Sequence, residues 1–129
     1  MRKILGALVA AAAITSTVAV IPAFAHHNAN AQWFTDRDVP VTGVLKELRD
    51  ISPHAHWLVE VKNAQGGLDV WDLEAISANA LRRQGIMVKQ LIKPGQSYTF
   101  YTAPSRDGSK TAFIKGILLN GKRVDFVRL

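Results

Sequence analysis

Apolar and polar residues alternate along most of this chain, and the exception is its beginning. Met1-Arg2-Lys3 is followed by an uncharged apolar run from Ile4 to Ile21, then Pro22, then Ala23-Phe24-Ala25, which has small residues at the spacing of an export-signal cleavage site. The run approaches the length that spans a bilayer, but Ala, Thr and Ser dilute it. Residues 1–25 therefore read as a cleavable signal peptide of the Sec type rather than an anchor. A second small-x-small site, Ala29-Asn30-Ala31, lies farther from the run. Residues 26–38 form an N-terminal arm in which His26 to Ala31 is polar and expected to be mobile, and Trp33-Phe34 is where the chain first docks.

From residue 39 the pattern has period two. Val39 to Leu48 mixes β-branched residues around Gly43 and predicts a strand with a bulge or sharp bend at the glycine. His54 to Lys62 puts Trp57, Val59 and Val61 on one face and His54, His56, Leu58 and Glu60 on the other. Asn63 to Gly67 is a hairpin loop, and Leu68 to Ala75 a third strand with Asp72 and Glu74 sharing a face. Ser77 is placed to cap a short helix over Ala78 to Gln84, which Gly85 ends. Ile86 to Ile92 fits helix or strand equally. A turn at Lys93-Pro94-Gly95-Gln96 precedes a Tyr/Phe/Thr-rich strand over Ser97 to Thr102. Pro104 to Lys110 is a charged loop. Ala112 to Leu119 and Lys122 to Val127 flank Asn120-Gly121, a strong hairpin signal. Five or six short strands with one short helix after the third are the order of an OB-like β-barrel over residues 39–129, with a small open sandwich as the competing architecture.

Composition narrows the chemistry. No cysteine is present, which removes disulfides, thiolate metal sites and cysteine nucleophiles. Net charge is +6, and Arg2 and Lys3 leave with the signal, so the mature chain carries +4. Charged residues make up 20% and apolar residues 48%, the balance of a folded domain.

The ordered set His26-His27, Val41-Thr42-Gly43-Val44, Ser52-Pro53-His54, Trp71-x-x-Glu74, Leu81-x-x-x-Gly85, Lys93-Pro94-Gly95 and Arg106-Asp107-Gly108 resembles DUF6152, a family of small exported bacterial proteins of unknown function. The resemblance covers essentially the whole mature chain and implies a secreted or periplasmic β-rich domain. It implies no activity. The family usually has Asn-Pro-His where this chain has Ser52-Pro53-His54, so a hydroxyl replaces a turn-capping amide.

The four histidines lie between positions 26 and 56. Cleavage after Ala25 makes His26 the terminal residue, whose amine and imidazole can chelate one ion. His54 and His56, one strand period apart, emerge on the same face. Nitrogen donors of this kind suit Cu(II), and also Zn(II). The first reading is thus a non-catalytic periplasmic metal-binding protein with His26, His54 and His56 as ligands and His27 and Glu74 as auxiliaries. Glu74 can ligate, orient an imidazole, or pair with Arg82 or Arg83. Three plainer readings compete: a solvated histidine tail, histidines that bond nearby loop carbonyls, and proton sensing near pH ~6.5. Asp72 and Glu74 are equally the solvent face of a half-buried strand. Met87 is the one methionine beyond the leader, which argues against a Met-rich Cu(I) carrier.

The alternative function is a metal-independent OB-type interaction module for an envelope component or partner protein. Cations from Arg82 to Arg128, with Tyr98, Phe100, Tyr101 and Phe113, could serve a polyanion, but export argues against nucleic acid. No serine-hydrolase, phosphate-loop or dinucleotide motif occurs, and no organic cofactor is expected. A monomer without stable membrane insertion is expected. Intact-mass measurement of the exported protein is expected to show loss of residues 1–25 and an amino-terminal His26. A start at Gln32 would remove two of the four histidines and overturn the ligand set.

Overall fold

Strand β1 (Val39–Arg49) is eleven residues long and serves two neighbours. In the computed structural model, which describes residues 29–51 and 53–128, Val39 to Val44 pairs antiparallel with β4 (Ser97–Pro104), and Val44 to Arg49 pairs antiparallel with β2 (His54–Lys62). Strand β2 continues into β3 (Leu68–Ile76), and β4 pairs with β5 (Thr111–Leu119). A parallel seam between β3 and β5 closes the cylinder. The circuit β1-β2-β3-β5-β4 is a closed five-stranded barrel, with β6 (Lys122–Asp125) added outside on β5. The expected OB-like order holds.

Two expectations about β1 separate. The strand bends, but the irregularity in its register falls between Leu45 and Glu47, not at Gly43. Gly43 serves a close approach instead: a Cβ there would meet the Glu60 carbonyl oxygen at 2.4 Å and Val59 Cγ1 at 2.8 Å. It sits where β1 passes from one neighbour to the other, and only a residue without a side chain lets β2 come that near.

The barrel is filled by inward-facing residues of its five strands, in clean alternation along β2. Leu45, Val59, Leu73 and Phe100 are fully buried, with Ile114 and Ile117 beside them. Trp57 lies at the centre, edge-on to Phe100 (centroids 5.9 Å) and Phe126 (5.6 Å). Between β3 and β4 the chain crosses one end of the barrel as α2 (Ala78–Arg83) and α3 (Val88–Leu91). Ser77 Oγ accepts the Ala80 N–H at 3.1 Å, and Gly85 takes φ +81°, as the capping pattern predicted. The ambiguous segment Ile86 to Ile92 contains the second helical turn, so the single helix expected is two. Asn120 and Gly121 both have positive φ, the twist a two-residue hairpin requires. On β6, the Arg123 guanidinium pairs with Asp38, donates from Nε to Asp125 at 2.6 Å and stacks 4.3 Å over Tyr101.

The arm departs from expectation. Ala29–Gln32 forms a helical turn, α1, rather than part of a mobile polar tail. Trp33 is buried with Ala103 and Phe113 in a second small cluster on the outside of the barrel, joined by Ala29 and Ile76. Arg106 holds the arm: its Nε donates to the carbonyls of Asn30 (2.6 Å) and Trp33 (3.2 Å). Its guanidinium and that of Arg37 stack on the Phe34 ring, at 4.4 and 3.7 Å. His26, His27 and Asn28 lie outside the described residues, as do residues 1–25, Ser52 and Leu129.

The added methyl of Gly43→Ala meets backbone, which cannot swing aside as a side-chain tip can. It is expected to cost about 1–3 kcal/mol, the usual penalty of overpacking, read as a Tm lowered by several degrees. An unchanged Tm would show that β1 and β2 part without cost.

Candidate functional site

The β2–β3 hairpin sets the geometry. At its tip the Asn63 N–H donates to the Gly67 carbonyl at 2.9 Å, while Asn63 Oδ1 accepts from the Gln65 and Gly67 N–H groups. This fixes Lys62 opposite Leu68, and the ladder then runs without a break to His54 opposite Ile76. Ala55 and Trp57 face the core at 2% exposure each, so His54 and His56 face outward. On β3, Leu73 and Ala75 are buried and Asp72 and Glu74 point out with the histidines.

Each imidazole reaches diagonally to a carboxylate two pairs further along the ladder, on the same face. His54 Nδ1 is hydrogen-bonded to Glu74 Oε1, and His56 Nδ1 to Asp72 Oδ1 at 2.9 Å. An ionised carboxylate only accepts, so Nδ1 carries the proton in both rings. The lone pair of each neutral ring is therefore on Nε2. Glu74 is the more enclosed carboxylate, with 16% of its side chain exposed against 42% for Asp72.

Three further residues frame the pair. Phe113 lies opposite Glu74 in the parallel seam and meets the His54 ring edge-on at 5.8 Å. Arg49 lies opposite His56 on β1 and donates to Glu47 at 3.0 Å. That bond raises the guanidinium's pKa and lowers the Glu47 carboxyl, and the Asp72 charge adds to the pull on Arg49. Beyond Asp72, Lys110 bonds Asp69 at 2.9 Å and, with Asn63, holds that carboxyl below its ordinary pKa.

Of the residues singled out in the sequence, His54, His56 and Glu74 come together. Glu74 orients an imidazole and makes no pair with Arg82, which donates instead to Asn79 at 3.0 Å. His26 and His27 lie outside the described residues. Among the described residues no three His, Cys, Asp or Glu side chains are grouped to hold a metal ion. Sequence reasoning missed Asp72 as the partner of His56 and Phe113 as the wall beside His54. The first was available from the hairpin, because a tip closing at Lys62 and Leu68 sets Asp72 diagonal to His56.

The model of DUF6152, a family of unknown function, matches residues 13–114, and the chain belongs to that family. No curated protein and no solved structure matches.

Nitrogen-15 NMR of the ring nitrogens at pH ~8, above the ordinary histidine pKa, is expected to show the Nδ1–H tautomer for His54 and His56. Glu74→Gln is expected to release that preference in His54 while leaving His56 unchanged. Nε2–H rings in the native protein would contradict the ladder.

Proposed function

We propose that this DUF6152 protein is an exported, non-catalytic metal-binding protein of the periplasm or secreted fraction, taking Cu(II) in preference to Zn(II). The observation that carries the reading is the pair of outward imidazoles whose Nδ1–H groups are both committed to carboxylates. A histidine that ligates a metal almost always gives its other ring N–H to such an acceptor, which fixes the tautomer and makes the free nitrogen more basic. His54 and His56 stand one strand period apart, about 6.6 Å along the backbone, with Nε2 of each free to bind.

Two imidazoles are an incomplete set, and the arm supplies the argument for the rest. Ala29 packs in the cluster that contains Phe113, the ring touching His54. His26 is three peptide steps from Ala29, a reach of at most about 11 Å. After cleavage at Ala25, the His26 amine and imidazole complete a nitrogen-rich set, with His27 as an auxiliary donor and Glu74 as the group that orients His54. Such a set favours Cu(II), at the top of the divalent affinity order.

A metal-independent module binding an envelope component is the second reading. Leu68 and Val70, each 57% exposed on the β2–β3 hairpin, favour it, since strands 2 and 3 form the usual binding face of OB barrels.

Titration of the protein bearing its natural amino terminus with Cu(II), followed by the d–d band and electron paramagnetic resonance, is expected to give one ion per chain with nitrogen hyperfine structure. His54→Ala, or one residue added before His26, is expected to abolish that signal. Asp72→Asn is expected to weaken binding about 10–100-fold. Unchanged binding in the first two variants would sink the metal reading and leave the interaction module.

A further inference from the structure

We infer a second binding site, for a small anionic amphiphile, in the cleft where α2 and α3 cross the end of the barrel. The inference is independent of the metal reading. The cleft encloses about 320 Å³, at the lower end of the range for small-molecule sites. Its walls include Ala78, Ile86 and Val88, and its rim carries Asp50, Arg82 and Lys89.

A smaller hollow of about 20 Å³ lies beside it, sharing Asp50, Ala78, Val88 and Lys89 and bordered further by the apolar Leu48, Ala55 and Trp57. It has room for little more than one methyl group. Because β2 alternates, the strand that presents His54 and His56 outward presents Ala55 and Trp57 to this hollow. Among the cleft's lining residues Met87 is apolar and 41% exposed.

The rim gives the sign of the ligand. Two cations face one carboxylate, and among the described residues neither Arg82 nor Lys89 has a carboxylate partner. Arg82 bonds only the Asn79 amide oxygen at 3.0 Å, which leaves guanidinium N–H groups for an anion. A cleft with apolar walls and an excess of one cation fits a single-chain carboxylate, its tail along Ala78, Ile86 and Val88 and its head at Arg82 and Lys89. The concavity argues for a free molecule rather than a bilayer, which needs a protruding apolar surface to insert.

The probe is decanoate below its micelle concentration, followed by amide chemical shifts. Saturable binding is expected, with shifts confined to residue 50, residues 78–90 and the Trp57 indole. Decyltrimethylammonium, the same chain with a cationic head, is expected to bind at least tenfold more weakly. The double variant Arg82→Glu/Lys89→Glu changes two exposed side chains, should keep the native thermal transition, and is expected to weaken decanoate at least tenfold. Equal affinity for the two chains, unchanged affinity in the double variant, or shifts elsewhere would overturn the proposal. So would binding only to anionic phospholipid vesicles, which would make the surface a membrane contact.

Discussion

Closure of the barrel rests on three residue pairs. In the parallel seam Asp72, Leu73 and Glu74 of β3 lie beside Thr111, Ala112 and Phe113 of β5, with the Asp72 N–H donating to the Lys110 carbonyl at 3.0 Å. A parallel pair cannot be made by a tight turn, so the chain must travel through α2, α3 and β4 before it can close the cylinder. The middle pair, Leu73 and Ala112, is fully buried and joins the core. The flanking pairs place both carboxylates of the histidine ladder and the ring that touches His54. Closure and the site thus share residues: the β2–β3 ladder brings the carboxylates to the imidazoles, and the seam brings Phe113 to the His54 ring.

Strand β2 has a corresponding double role. Its odd and even positions face different surroundings, so it contributes imidazoles to the outer surface and Ala55 and Trp57 to the interior. Period two allows this without compromise, since neither set needs the space of the other. The arrangement also makes register strict, because a slip of one residue would bury two histidines and expose a tryptophan.

Much of this was legible in the alternation itself. Strand β2 ran from His54 to Lys62 as the pattern indicated, and Ser77, Gly85 and Asn120-Gly121 marked their caps and turn through local backbone requirements. What escaped was long-range. Gly43 looked like a bulge because a glycine inside a strand signals either irregularity or close approach, and only the position of Glu60 decides between them. The docking of Trp33 was legible, but the helical turn over Ala29–Gln32 escaped because Arg106, 76 positions from Asn30, supplies a donor that holds it. Asp72 and Glu74 read as a solvent face because alternation tells which side a residue faces and not what faces it across the strand.

The outer strand β6 has four residues, and Lys122 and Arg123 make up half of it. An unpaired strand border invites further copies of the same chain to extend the sheet. Here the border is short, bears Lys122 and Arg123, and is tied to Asp38 through Arg123. Like-charged borders of two molecules repel each other, and Arg123 is already engaged. The protein is thereby guarded against fibrillar self-association along this side.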